Sequence, residues 1–94
     1  MKVTIRFVGS LRSFSGKSKA VLNFEGETSL REAINKIAEM FPEIKRALID
    51  PELGDARPNT LIIVNGREIS VLNGLETVLK DGDEIVLIPV SHGG

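Results

Sequence analysis

The sequence predicts an α+β domain: a mixed sheet of four to five strands with one main helix packed on one face. Three observations lead there. Apolar and polar residues alternate at the start of the chain, through Val3, Ile5 and Phe7, the period of a strand with one buried face, and the run EIVLIPV at 84–90 reads as a last strand. A single stripe at helical period lies between them, at Leu30, Ala33, Ile34, Ile37, Ala38 and Phe41. Helix and strands do not alternate one by one, which argues against a doubly wound sheet.

Strand one is read at 2–8, with Lys2, Thr4 and Arg6 on the polar face. A polar stretch holding Gly9 and Gly16 follows. Residues 19–24, KAVLNF, form a second strand with Ala20, Leu22 and Phe24 on one face. The two strands read as a hairpin with a long, loose loop. Ser29 is placed as the helix N-cap, with Glu32 completing a capping box. Pro42 stops or restarts the helix because it has no N–H to donate, and Glu43 to Ile49 is read as a further helical turn. Pro51, Gly54 and Pro58 mark a loop. The run LIIV at 61–64 is a short strand, and Asn65-Gly66 is a two-residue hairpin signal. Arg67 to Val71 is read as the returning strand, Asn73-Gly74 as a turn and Leu75 to Leu79 as a turn of 3₁₀ helix. Asp81-Gly82 is another turn before the last strand. The first and last strands are expected side by side in the middle of the sheet. This is the layout of a β-grasp, or ubiquitin-like, domain.

The chain has 94 residues, room for one domain and not two. We place it at 1–90, with 91–94 as a flexible C-terminal Gly-Gly tail. Twelve Lys and Arg against thirteen Asp and Glu give a net charge of −1, unlike the basic excess of a general nucleic-acid binder. No apolar run approaches the ~20 residues of a membrane span, and no signal-peptide pattern opens the chain. Nucleic acid and membrane are therefore not expected as partners. Cysteine is absent, which fits a cytoplasmic protein and removes thiolate nucleophiles and thiolate metal sites. With one His and no Tyr or Trp, little remains for side-chain catalysis. The chain is not expected to be an enzyme, nor to bind a metal or cofactor.

Three candidate motifs carry less than they suggest. Gly16-Lys17-Ser18 looks like the end of a phosphate-binding loop, but position 11 is Leu where that motif needs Gly, and a strand follows where a helix should. His92 stands alone in a tail, without the partners a metal site requires. Asp81, Asp83 and Glu84 lack the ligand spacing of a calcium loop and read as a solvated turn.

The chain ends in Gly93-Gly94. At an average Gly usage of ~7%, such a pair arises by chance about once in two hundred chains. It follows directly on the last strand. Glycine has no Cβ, so a tail of this kind can enter a narrow channel. The α-carboxylate it carries, with a pKa of ~3.3–3.7, is an anion at neutral pH and a poor acyl electrophile. It needs activation, most simply as an acyl-adenylate made with ATP. Sulfur or an amine can then displace AMP. On this reading Gly94 is the point of covalent attachment, and Gly93 and His92 belong to the tail.

The tail DGDEIVLIPVSHGG resembles the ends of the MoaD and ThiS sulfur carriers and of the small archaeal ubiquitin-like modifiers, and the final HGG resembles the eukaryotic ubiquitin-related modifier. Val64-Asn65-Gly66, the stretch GLETVLKDGDE and the opening MKVTIRFVGSLR also fit the MoaD pattern. Pro89 stands alone where MoaD tails often carry two prolines, and His92 precedes the glycines, so the resemblance is to the broader class. It implies a β-grasp fold and adenylation of the C-terminus by a MoeB-like or ubiquitin-activating-like enzyme that uses ATP. It also implies a thiocarboxylate at Gly94 that donates sulfur for molybdopterin or a related product. A molybdopterin-synthase large subunit and target-protein lysines are the implied further partners, with this chain as a possible small subunit of that synthase. The alternatives are a modifier joined through Gly94 to lysines, and a β-grasp interaction module whose Gly-Gly end is incidental. If Ile85 and Leu87 face the helix, Val86 and Ile88 face away, and Val8 lies opposite Val3, Ile5 and Phe7. These three residues, Val8, Val86 and Ile88, are the expected partner surface.

Overall fold

A computed structural model describes residues 1–48 and 59–90. β1 (Lys2–Phe7) and β7 (Glu84–Pro89) lie parallel at the centre of a five-stranded sheet. β2 (Lys19–Asn23) flanks β1, and β4 (Thr60–Val64) flanks β7, both antiparallel. β5 (Arg67–Glu68) closes the far edge, giving the order β2-β1-β7-β4-β5. The central pairing of the first and last strands is the one expected from the sequence. In β1 Val3 and Ile5 are fully buried, while Lys2 and Arg6 are exposed.

α2 (Leu30–Met40) covers the inner face. Leu30, Ala33, Ile34, Ile37 and Ala38 are buried, as the stripe requires. Phe41, the last member, is half-buried and meets Phe7 edge-on with centroids 5.9 Å apart. Ser29 caps the helix by accepting the Glu32 N–H at 3.3 Å. The reciprocal half of the capping box does not form. The Glu32 carboxylate instead accepts the hydroxyl of buried Thr28 at 2.8 Å, a partner that a spacing rule does not show. Pro42 restarts the helix: α3 (Pro42–Leu48) begins there and buries Ile44 and Leu48. Pro51, Gly54, Pro58 and the end of the turn at Ile49 lie outside the described residues.

Other expectations are corrected. The loose loop between β1 and β2 contains a helix, α1 (Ser10–Ser15). It buries only Leu11, so six residues gave no periodic signal. Gly9 (φ 61°) and Gly16 (φ 73°) bound it with conformations that favour glycine. The returning strand stops at Glu68, and Ile69–Val71 turns as 3₁₀ helix to bury Ile69. The later 3₁₀ turn spans only Gly74–Glu76. Beyond it, β6 (Val78–Leu79) pairs with β3 (Thr28–Ser29) as a separate two-stranded sheet, too short for alternation to reveal. Asn65-Gly66 makes its predicted turn, with φ of 50° and 82°.

Candidate functional site

Residues 91–94, and with them His92, Gly93 and Gly94, lie outside the described residues. The structure does describe where the tail is rooted. β7 is buried between two neighbours and ends at Pro89, opposite Thr60. The Val90 N–H donates to the Asn59 carbonyl at 3.0 Å, and the Val8 N–H donates to the Leu87 carbonyl at 3.1 Å. On the other side stands Gly9. A Cβ placed on it would come within 3.3 Å of Pro89 Cγ. The last residues before 91–94 are thus held by a strand pairing and backbone bonds, with Gly9 close beside Pro89.

Among the described residues, no helix covers the outer face of the sheet. Ile85 and Leu87 are fully buried beneath α2, and Val86 and Ile88 are half-buried on the outer side. Val8 is 38% exposed and continues the outer set of β1. Sequence reasoning missed the other half of this patch. Register pairs Ile63 with Val86 and Leu61 with Ile88, so β4 adds two more outer side chains, and Val90 extends the patch towards the tail at 42% exposure. The run LIIV is continuous and apolar, so its outer residues were not separable from its inner ones until the pairing was known. Arg6 pairs with Val86 from the other flank, and its guanidinium meets Glu84 at 2.7 Å. An apolar strip therefore runs up the middle of the face and ends at the root of the tail.

The acidic turn is structural. Asp81 accepts the Lys2 N–H at 2.7 Å. Asp83 accepts the Lys80 N–H at 2.7 Å and the Asn65 side-chain amide at 2.8 Å. Glu84 holds Arg6. These carboxylates tie the start of β7 to its neighbours at the end opposite the tail.

A two-layer β-grasp domain, with an apolar strip that no described residue covers and that ends at Val90, shortly before the C-terminal Gly93-Gly94 pair in the sequence, fits the class of ubiquitin-like carriers and modifiers. The ThiS family model matches residues 5–94, and the chain belongs to that family, in the ThiS/MoaD-type group that includes small archaeal modifiers. It is 24% identical over 94 residues to small archaeal modifier protein 3 of Haloferax volcanii, covering the whole of both chains. It is 30% identical over 95 residues to the sulfur carrier protein CysO of Mycobacterium tuberculosis, again over the whole of both. The solution structure of small archaeal modifier protein 1 from Methanosarcina acetivorans superposes with a TM-score of 0.81 at 29% identity, covering 99% of this chain and 96% of that one.

Proposed function

We propose that this chain is a sulfur carrier in which the α-carboxylate of Gly94 is the working group. The observation that carries the reading is the family match itself, which extends to residue 94 and so includes Gly93 and Gly94, together with a full-length relative named as a sulfur carrier. The chemistry balances in two steps. A carboxylate oxygen attacks the α-phosphorus of ATP, forming an acyl-adenylate and releasing pyrophosphate. Hydrosulfide then adds to the acyl carbon and expels AMP, leaving a thiocarboxylate and a proton. The catalytic groups belong to the activating enzyme, of MoeB-like or ubiquitin-activating-like type. The chain supplies a docking face and a thin acyl donor. Molybdopterin synthesis or a related thiolation is the proposed use of the sulfur, with a synthase large subunit as the acceptor.

Conjugation is the second reading. A relative named as a protein modifier spans the same length, and the two uses share the adenylate. They differ only in the nucleophile, since a lysine amine attacking the same acyl carbon gives an isopeptide bond. The test is intact mass spectrometry after incubation with ATP, the host's activating enzyme and sulfide. The carrier reading expects a mass gain equal to the exchange of one oxygen for one sulfur, confined to Gly94. An unchanged mass with a working activating enzyme contradicts it, and heavier species joined through Gly94 to lysine favour conjugation.

A further inference from the structure

Charge is not spread evenly along this chain. The first 24 residues hold Lys2, Arg6, Arg12, Lys17 and Lys19 and no Asp or Glu, whereas the other seventy hold seven basic residues and all thirteen acidic ones. The basic segment folds into β1, α1 and β2, so a near-neutral protein acquires one basic flank. Arg6 is matched by Glu84. Arg12 and Lys17 form no ion pair among the described residues. They meet across an open cleft of about 510 Å³ lined by Gly9, Arg12, Ser13, Gly16, Lys17 and Ser18, with no carboxylate in its wall.

The frame of this cleft is fixed. The Gly16 N–H donates to the Arg12 carbonyl at 2.9 Å. The Ser15 hydroxyl donates to the Lys17 carbonyl at 2.9 Å and accepts the Lys17 N–H at 3.1 Å. The Ser18 carbonyl is tied to the Phe7 N–H at 2.9 Å. The cleft also adjoins the end of β7, because Gly9 both lines it and lies close to Pro89.

We propose that this cleft docks a short acidic segment, Asp or Glu carboxylates, of the protein that receives the tail. A guanidinium and an ammonium in a cleft also lined by two serines suit carboxylates. Size and sign favour a short segment over a nucleic acid. A polyanion longer than the cleft would run onto the remainder of the molecule, which is net acidic. The pairs formed are exposed, so they chiefly steer and orient the approach. That the segment belongs to the tail-receiving protein rests on the function proposed above; the cleft's preference for carboxylates does not.

The test titrates the ¹⁵N-labelled full chain with hexaglutamate at low salt and follows amide shifts. One saturable site is expected, with the largest shifts at Arg12, Ser13, Gly16, Lys17 and Ser18. The Arg12→Gln/Lys17→Gln variant should weaken it at least about fivefold, and high salt should abolish it. Shifts spread over other basic residues, or an affinity unchanged in the variant, overturn the proposal. So does tighter saturation of the same residues by hexauridylate, which would make the cleft a nucleic-acid site. A second arm measures association with the activating enzyme, where the variant should show a slower on-rate and a flatter salt dependence; an unchanged on-rate overturns the link to the tail-receiving protein. If the wild-type chain supports no activation at all, the proposed function fails, and the hexaglutamate titration still decides on the cleft.

Discussion

Two residues beside the tail root show how single positions set the local energetics. Gly9 sits at φ 61° and ψ −134°, outside the regions open to a residue with a Cβ, and its missing side chain leaves room for Pro89. Gly9→Ala should lose about 1–3 kcal/mol of stability from backbone strain. Gly16→Ala should lose less, because Gly16 is in the ordinary left-handed region with open space around it. Urea denaturation of the two variants gives the order, and equal losses would contradict the extra strain assigned to Gly9. Thr60, paired with Pro89 from β4, has a buried hydroxyl with no hydrogen-bond partner among the described residues. An orphaned polar group costs stability that an apolar isostere avoids. Thr60→Val should therefore raise stability by about 1 kcal/mol, read as a melting point higher by several degrees; a lower melting point would show that the hydroxyl is satisfied.

Among the elements, α2 and β7 carry opposite duties. Ile37 in α2 is fully buried, and a carboxylate there costs several kcal/mol or more, comparable to the whole ~5–15 kcal/mol of a domain. Ile37→Asp should abolish the native far-ultraviolet circular dichroism and thermal transition. Ile88 on the outer side of β7 should tolerate Lys with the fold intact, while binding to the activating enzyme weakens, since the new charge must be desolvated without a partner. Unchanged affinity in a titration would remove the strip from the interface. The contrast also explains what was legible in the sequence. α2 and β1 are long enough to repeat their period, so their faces were readable residue by residue. α1 buries one side chain, and β3 and β6 have two residues each, so none repeats a period. Val8 was assignable because β1 alternates, whereas Val86 and Ile88, in the continuous run IVLI, were assignable only on the condition that Ile85 and Leu87 face the helix. Leu61 and Ile63 were not, because which side of β4 faces outward is fixed only by its register with β7.

At the scale of the molecule, fold and chemistry are separable. The buried apolar core among the described residues runs from Val3 to Leu87, so removing Gly93 and Gly94 takes nothing from it, and the melting temperature of the shortened chain should be unchanged. Activation should behave oppositely, because one residue spans ~3.3–3.6 Å and a 1 Å misplacement of reacting atoms can cost ~10²-fold in rate. The most direct measurement is exchange of labelled pyrophosphate into ATP, catalysed by the activating enzyme, with the wild-type chain and a Gly94-deleted chain side by side. The account predicts exchange with the first and none with the second, although both are folded. Full exchange in the deleted chain would contradict the assignment of Gly94 as the group that is activated.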